Sequence, residues 1–296
     1  METIKSTVDI ERSLIKTYRR DIYKKFVQGV NKYQLISPGD KVAVAISGGK
    51  DSLTLAKLLQ ELKRHNKVPF DLEFIAMDPG YLPENRKRLE FNCEKLGIPV
   101  KIHNSDVFSV AEKLSEGGST CYMCARMRRG NLYNRAKELG CNKLALGHHF
   151  DDVIQTVLLN IIYAGDFKTM MPKLKSQNFE GLELIRPMYL VREEAIIRFM
   201  KSTGLSALDC ACTVTQKQSG NKRFFIKDLI EELKKENKNV DINILRATEN
   251  VNMEQILGFK EKGERHDFLE FYWDFLWNKK TFLNKRLKGS WKNLSK

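Results

Sequence analysis

The apolar run Lys41-Val-Ala-Val-Ala-Ile46 empties directly into Ser47-Gly-Gly-Lys-Asp-Ser52. A strand that ends in two adjacent glycines and then enters a helix brings backbone N–H groups against a phosphate. Glycine has no Cβ to block the approach, and the helix places its positive dipole end at the same point. The loop lacks the Gly-x-x-x-x-Gly-Lys-Ser/Thr spacing of a Walker A motif, which argues against the kinase and motor-ATPase classes. A solvent-exposed turn is the bland alternative for a Ser-Gly-Gly, and the strand and helix patterns on either side speak against it.

The rest of the chain repeats that alternation. Strands are expected at 41–46, 71–77, 99–103, 143–146 and 183–186, with helices near 52–64, 83–96, 107–115, 124–139, 150–163 and 192–203. Short loops between alternating elements predict an α/β fold, a parallel five-stranded sheet with helices on both faces. Ligands of such sheets sit at the carboxyl ends of the strands near a switch in strand order. The SGGKDS loop, Met77-Asp78 and Gly147-His148 all follow strands, so all three are expected at that edge.

Four regions follow from these patterns. Residues 1–36 form a basic N-terminal helix, 37–205 the α/β domain with a Cys-x-x-Cys inserted, 206–256 a helical C-terminal segment and 257–296 an aromatic and basic extension. Helices are expected at 222–237 and 241–257, then an aromatic one at 264–277, and 279–296 carries seven Lys or Arg with no acid. The formal charge of +14 favours a polyanionic partner, nucleic acid above all. No apolar stretch approaches the roughly 20 residues of a membrane span. Met1-Glu-Thr-Ile-Lys lacks the features of a secretory signal, and a cytoplasmic location is expected.

Six cysteines are present, at 93, 121, 124, 141, 210 and 212. A chain with 42% hydrophobic residues needs no disulfide scaffold, so Cys121-Tyr-Met-Cys124 and Cys210-Ala-Cys212 suggest metal ligation first and redox exchange second. Two thiolates three positions apart at a helix start can grip one metal centre, aided by the helix dipole and by Arg126, Arg128 and Arg129 just beyond. Their alternative is a pair of small core residues. Cys93 and Cys141 fall inside helix and strand pattern and read as core. Gly147-His-His-Phe-Asp-Asp152 ends a strand and opens a helix. Its carboxylates either cap that helix or hold Mg²⁺ bridging ATP phosphates, and its histidines are either structural or functional.

The order SGGKDS, CxxC-x-R-x-RRG, GHHxDD, Arg186-Pro187 with Arg192-Glu193 and a further cysteine region resembles the tRNA 2-thiocytidine synthetase (TtcA-type) family, in the PP-loop superfamily that splits ATP to AMP and pyrophosphate. The resemblance runs from about residue 10 to about residue 256, including Ile226-Lys-Asp228 and Ala247-Thr-Glu-Asn-Val-Asn252. It implies an adenine nucleotide α-hydrolase-like fold and an ATP-dependent tRNA sulfurtransferase. The C2 carbonyl oxygen of cytidine 32 is adenylated, and sulfur then displaces AMP. It also implies a [4Fe–4S] cluster on three cysteines, an open iron for incoming sulfur, and a sulfur donor that is a cysteine desulfurase or free sulfide. Cys121 and Cys124 match the first two ligands. The third is Cys212, with Cys210 as the alternative, because the family's Cys-x-x-Cys is here Cys-x-Cys.

The implied roles follow. Ser47, Gly48, Gly49 and Ser52 hold the ATP phosphates, and Lys50 neutralises charge as pyrophosphate leaves. Asp51 and Asp151 take Mg²⁺, with Asp152 and Gly147 orienting ATP. Met77 offers its backbone to adenine, and Arg126, Arg128 and Arg129 touch tRNA phosphate or form a solvated helix face. A homodimer stays open. The alternatives are thiolation of a tRNA uridine by the same machinery, or a zinc-stabilised RNA-binding module without catalysis, which leaves SGGKDS unused.

Overall fold

A computed structural model describes residues 4–65, 67–78, 80–104, 120–208, 220–270 and 272. They fall into two compact units, one reaching to Leu245 and the other beginning at Arg246.

The first unit is built on a six-stranded sheet of β1 (Lys41–Ala45), β2 (Asp71–Asp78), β3 (Val100–Asn104), β4 (Lys143–Ala145), β5 (Lys173–Lys175) and β6 (Glu183–Ile185) in the order β3-β2-β1-β4-β6-β5. The five expected strands are mutually parallel, with Lys41 opposite Asp71 and Val42 opposite Lys143. The sixth, Lys-Leu-Lys, pairs antiparallel with β6 at the edge. Three residues carry too little alternation to register as a strand in the sequence, and an antiparallel edge on a parallel sheet is a common addition. Chain order reverses between β1 and β4, so the loops after these two strands flank the switch point.

Helices form where the apolar spacing placed them, except that the one N-terminal helix expected is broken into two. Helix α1 (Thr7–Ile15) starts at Ser6, whose Oγ accepts the Asp9 N–H at 3.1 Å, and buries Ile10 and Leu14. A single π-helical turn at Arg19–Tyr23 joins it to α2 (Lys24–Lys32). Helix α3 (Lys50–Arg64) leaves the glycine loop and buries Leu53, Leu55, Leu58 and Leu59 completely. Helix α4 (Pro83–Leu96) opens on proline and closes on Gly97 in the left-handed conformation (φ +62°), where Ile98 N–H reaches back to the Cys93 carbonyl at 2.8 Å. Lys57 ties these layers together. It is 1% exposed and its Nζ donates to Glu11 Oε1, Gln60 Oε1 and the Leu96 carbonyl at 2.7, 2.7 and 2.8 Å.

Helix α5 (Thr120–Glu138) carries the first cysteine pair. Its far end lies at the amino edge of the sheet, where Lys41 Nζ donates to the Leu139 carbonyl at 2.7 Å and Asn142 N–H to the Lys41 carbonyl at 3.1 Å. The sheet is parallel here, so the helix runs back against the strands and its Thr120 end faces the carboxyl edge. Helices α6 (Phe150–Leu159), α7 (Glu193–Thr203), α8 (Gly220–Glu236) and α9 (Val240–Ala247) complete the series. Tyr189, Ile226, Ile230 and Leu245 pack with Phe150, Val153 and Ile154 in one cluster. The helix expected at 107–115 lies outside the described residues.

The second unit departs from the helical expectation. The helix over 241–257 stops at Ala247, and Asn252 then opens a short 3₁₀ turn at Met253–Gln255 by accepting the Glu254 N–H at 3.1 Å. Residues expected to begin the aromatic helix at 264 instead form a hairpin, Gly258–Glu261 with Glu264–Asp267. Lys262 and Gly263 both have positive φ (+51° and +94°), the two-residue turn that matches strand twist. Phe259 stacks on His266 across the pair with ring centroids 4.9 Å apart.

Candidate nucleotide and sulfur-transfer site

The SGGKDS loop closes on itself through its two serines. Ser47 N–H and Ser47 Oγ both donate to Ser52 Oγ at 3.1 Å, and Ser52 Oγ donates to the Gly49 carbonyl at 3.0 Å. Gly48 has φ +83°, and a Cβ there would sit 2.5 Å from Leu208 Cδ1. Gly49 is the N-cap of α3 and supplies no side-chain cap, so the first N–H groups of that helix are left for an anion. Gly147 packs directly on the same turn, where a Cβ would meet the backbone of Asp51 and Ser52 at 3.1 Å. The loops after β1 and β4 therefore touch backbone to backbone.

Four carboxylates converge there. Lys50 Nζ lies 3.0 Å from Asp51 Oδ2 and 3.0 Å from Glu193 Oε1. Burial works to lower the Lys50 pKa, but these two partners outweigh it and hold the ammonium above its usual range. Burial pushes the Asp51 carboxyl up, with His149 and Lys50 opposing. Burial would also raise Glu193, yet hydrogen bonds from Lys227 and Lys50 bring it down to about 2. Asp151 Oδ2 accepts the Glu193 N–H at 2.7 Å, capping α7 from another helix. Asp152 accepts the His149 N–H at 3.1 Å and a 2.9 Å bond from Arg223 Nη1. His149 is 4% exposed, with Nε2 3.8 Å from Asp51 Oδ1 and 3.5 Å from Asp152 Oδ2. Burial drives the His148 pKa down to about 4, so its ring is neutral at physiological pH.

The structure thus brings together Ser47, Gly48, Gly49, Lys50, Asp51, Ser52, Gly147, Asp151 and Asp152. Met77 is buried in β2 opposite His103. Ile75, two residues earlier, accepts the Ile46 N–H at 2.8 Å, so the Met77 backbone faces the same way, past the end of β1 and toward the loop. Glu193, Arg223, Lys227 and Leu208 are site residues absent from the sequence-based set. Their partners lie far away in the chain, and although Glu193 falls in the Arg192-Glu193 motif and Lys227 in Ile226-Lys-Asp228, neither motif by itself points to a role.

The donors can be tested against the groups the fold family uses. Asp51 Oδ1 is buried with no hydrogen-bond partner, an open oxygen that suits a hard cation beside phosphates. Cys93 and Cys141 are buried core thiols whose pKa values burial pushes up to about 12 and about 11, unsuited to act as thiolates. That leaves Cys121 and Cys124 in the opening turns of α5, with Cys210 and Cys212, a soft thiolate set that fits an iron–sulfur cluster. The side chains of Cys121, Cys124, Arg126 and Arg128, and the whole of Cys210 and Cys212, lie outside the described residues. Arg129 is exposed.

A parallel sheet with a glycine loop and an acidic helix start meeting at its switch point defines an ATP-binding protein of the PP-loop class, and the PP-loop domain family model matches residues 16–221. The chain is 37% identical over 239 residues to the tRNA-cytidine(32) 2-sulfurtransferase of Syntrophotalea carbinolica, covering 80% of this chain and 92% of that one. It is 38% identical over 240 residues to the protein of the same name from Geobacter sulfurreducens, covering 79% and 93%. The U34-tRNA thiolase NcsA from Methanococcus maripaludis, solved with its [4Fe–4S] cluster, superposes with a TM-score of 0.62 at 26% identity, covering 79% of this chain and 81% of that one. The chain belongs to the PP-loop family and, within it, to the tRNA-cytidine(32) 2-sulfurtransferases.

Proposed function

We propose that this protein adenylates the C2 carbonyl oxygen of cytidine 32 in tRNA and replaces that oxygen with sulfur, giving 2-thiocytidine. One observation carries the coupling of ATP to sulfur. The segment holding Cys210 and Cys212 is tied to the nucleotide site at both flanks, by Leu208 N–H to the Gly48 carbonyl at 3.0 Å and by Arg223 to Asp152 at 2.9 Å. Cys212 is four residues from Leu208, a span of at most about 14 Å. The opening turns of α5, with Cys121 and Cys124, face the same edge.

The chain's own groups account for the first half-reaction. The N–H groups at the start of α3 and the Lys50 ammonium hold the phosphates, and Lys50 takes up charge as the cytidine oxygen bonds to the α-phosphorus and pyrophosphate departs. Asp51 offers its open oxygen to Mg²⁺, with Asp151 beside it, and Glu193 keeps Lys50 charged and aimed. Met77 presents backbone groups to adenine. Cys121, Cys124 and Cys212, with Cys210 as alternative, would hold a [4Fe–4S] cluster, which would supply the binding of the incoming sulfide. In the second half-reaction sulfur bonds to C2 as the C2–O bond breaks and AMP leaves with the oxygen. Arg126, Arg128 and Arg129 would touch the RNA backbone beside the cysteines.

The sulfur comes from a cysteine desulfurase or free sulfide, in the cytoplasm. Among the described residues no helix is long and apolar enough to cross a membrane. Sedimentation decides between monomer and homodimer. Protein purified without oxygen is expected to absorb in the visible and to contain iron and sulfide; a colourless protein holding only zinc would overturn the reading. Digested tRNA from a strain lacking the gene is expected to lack 2-thiocytidine. Loss of a thiouridine instead would transfer the activity to a uridine.

A further inference from the structure

A second surface lies one helix length from this site. Helix α6 carries Asp152 in its first turn and ends in a π-helical turn at Asn160–Ala164, about 15 Å along the axis. There Tyr163 is 44% exposed and Phe167 49%. The loop is folded back on the turn, since Asn160 Nδ2 donates to the Lys168 carbonyl at 3.0 Å and Asp166 N–H to the Asn160 carbonyl at 3.1 Å. Adjacent residues of α8 connect the two places. Arg223 reaches Asp152, while Lys222 Nζ stands over the Tyr163 ring, 4.7 Å from its centroid. Phe225, three residues on and so on the Lys222 flank, is 53% exposed, whereas Ile226 faces inward and is fully buried.

Exposed aromatic rings cost free energy in water, and a soluble surface rarely gathers several without a partner. Rings interleaved with cations are what an unpaired nucleotide needs: a flat apolar face for the base, a positive charge for the phosphate. A protein-binding patch of this size would be expected to carry less charge at its centre. On the reading given under Proposed function, we propose that Tyr163, Phe167 and Phe225, with Lys222, form a stacking platform for unpaired bases of the RNA substrate flanking the reacting cytidine. Its place beside α8 lets one helix turn touch the RNA through Lys222 and the nucleotide site through Arg223.

The test uses the full chain and two synthetic RNAs of equal length, a stem–loop with an unpaired cytidine in its loop and a blunt duplex. Wild type is expected to prefer the loop. Tyr163→Ala and Phe225→Ala are each expected to weaken loop binding about tenfold and leave duplex and ATP binding unchanged, while Tyr163→Phe restores it. Lys222→Ala is expected to weaken both RNAs and lower the salt slope by about one. Loop affinity unchanged in the alanine variants overturns the platform. So does an equal loss on loop and duplex, or conversion of a wild-type dimer to monomer, which would make the patch a contact between copies. The readout is binding, so failure of thiolation with a loop preference intact would count against the proposed reaction and leave the platform standing.

Discussion

At the scale of single residues, the site turns on the Lys50 ammonium and the carboxylates around it. Lys50 has Asp51 on one side and Glu193 on the other, each at 3.0 Å. Lys50→Ala is expected to lower ATP–pyrophosphate exchange about 100-fold, the scale of losing one well-placed donor in a transition state. Glu193→Gln, which keeps a hydrogen bond but not the charge, is expected to cost about tenfold, with the effect concentrated in kcat. Protonation leaves a mark on stability as well. An ordinary histidine takes up its proton near 6.5, but folded His148 does so only at about 4. The unfolded chain therefore binds the extra proton first, and stability falls as pH drops from about 6.5 toward 4, at up to ~1.4 kcal/mol per pH unit. Glu193 acts below that window: with a folded pKa of about 2 its contribution is intact above about 4.5 and is lost as pH falls further. Denaturant titration across pH 4–7 is expected to show a flatter profile for His148→Gln.

At the scale of elements, close approach and buried charge matter more than any ligand. Gly147→Ala would place a methyl 3.1 Å from the backbone of α3's first turn, so the loops after β1 and β4 must part by a few tenths of an ångström. Calorimetric titration is expected to show ATP affinity reduced about tenfold with little change in melting temperature. Lys57→Met leaves the Leu96 carbonyl and Gln60 without their donor and loosens α1 and α4 from α3; urea unfolding is expected to register a loss of about 3 kcal/mol. Elements were legible in the sequence where the signal is local. The strand–glycine–helix unit, the five parallel strands and the helix over 83–96 all follow from neighbours in the chain. What escaped was non-local or brief. Glu193 meets Lys50, and Arg223 meets Asp152, only because the sheet order folds them together. The edge strand at Lys173–Lys175 has too few residues to alternate. In the second unit, the Lys262-Gly263 turn draws Glu264–Asp267 into a strand, so the aromatic helix expected from 264 shows helical backbone only from Phe268 among the described residues.

At the scale of the whole molecule, burial sets two of the six thiols apart. Cys93 and Cys141 sit in the core with pKa values raised to about 12 and about 11, because burial penalises the thiolate. Only the thiolate reacts quickly with an alkylating reagent, so the native fold silences these two positions by itself. Intact-mass spectrometry after alkylation then becomes a count of ligation. Protein stripped of metal and kept reduced is expected to take up to four labels, on Cys121, Cys124, Cys210 and Cys212, and six once unfolded. Loaded with its cluster, it is expected to leave one of those four free, and peptide mapping of that label separates Cys210 from Cys212. Two inert core residues thus supply a zero baseline, turning an ordinary labelling reagent into a gauge of which sulfur atoms the metal claims.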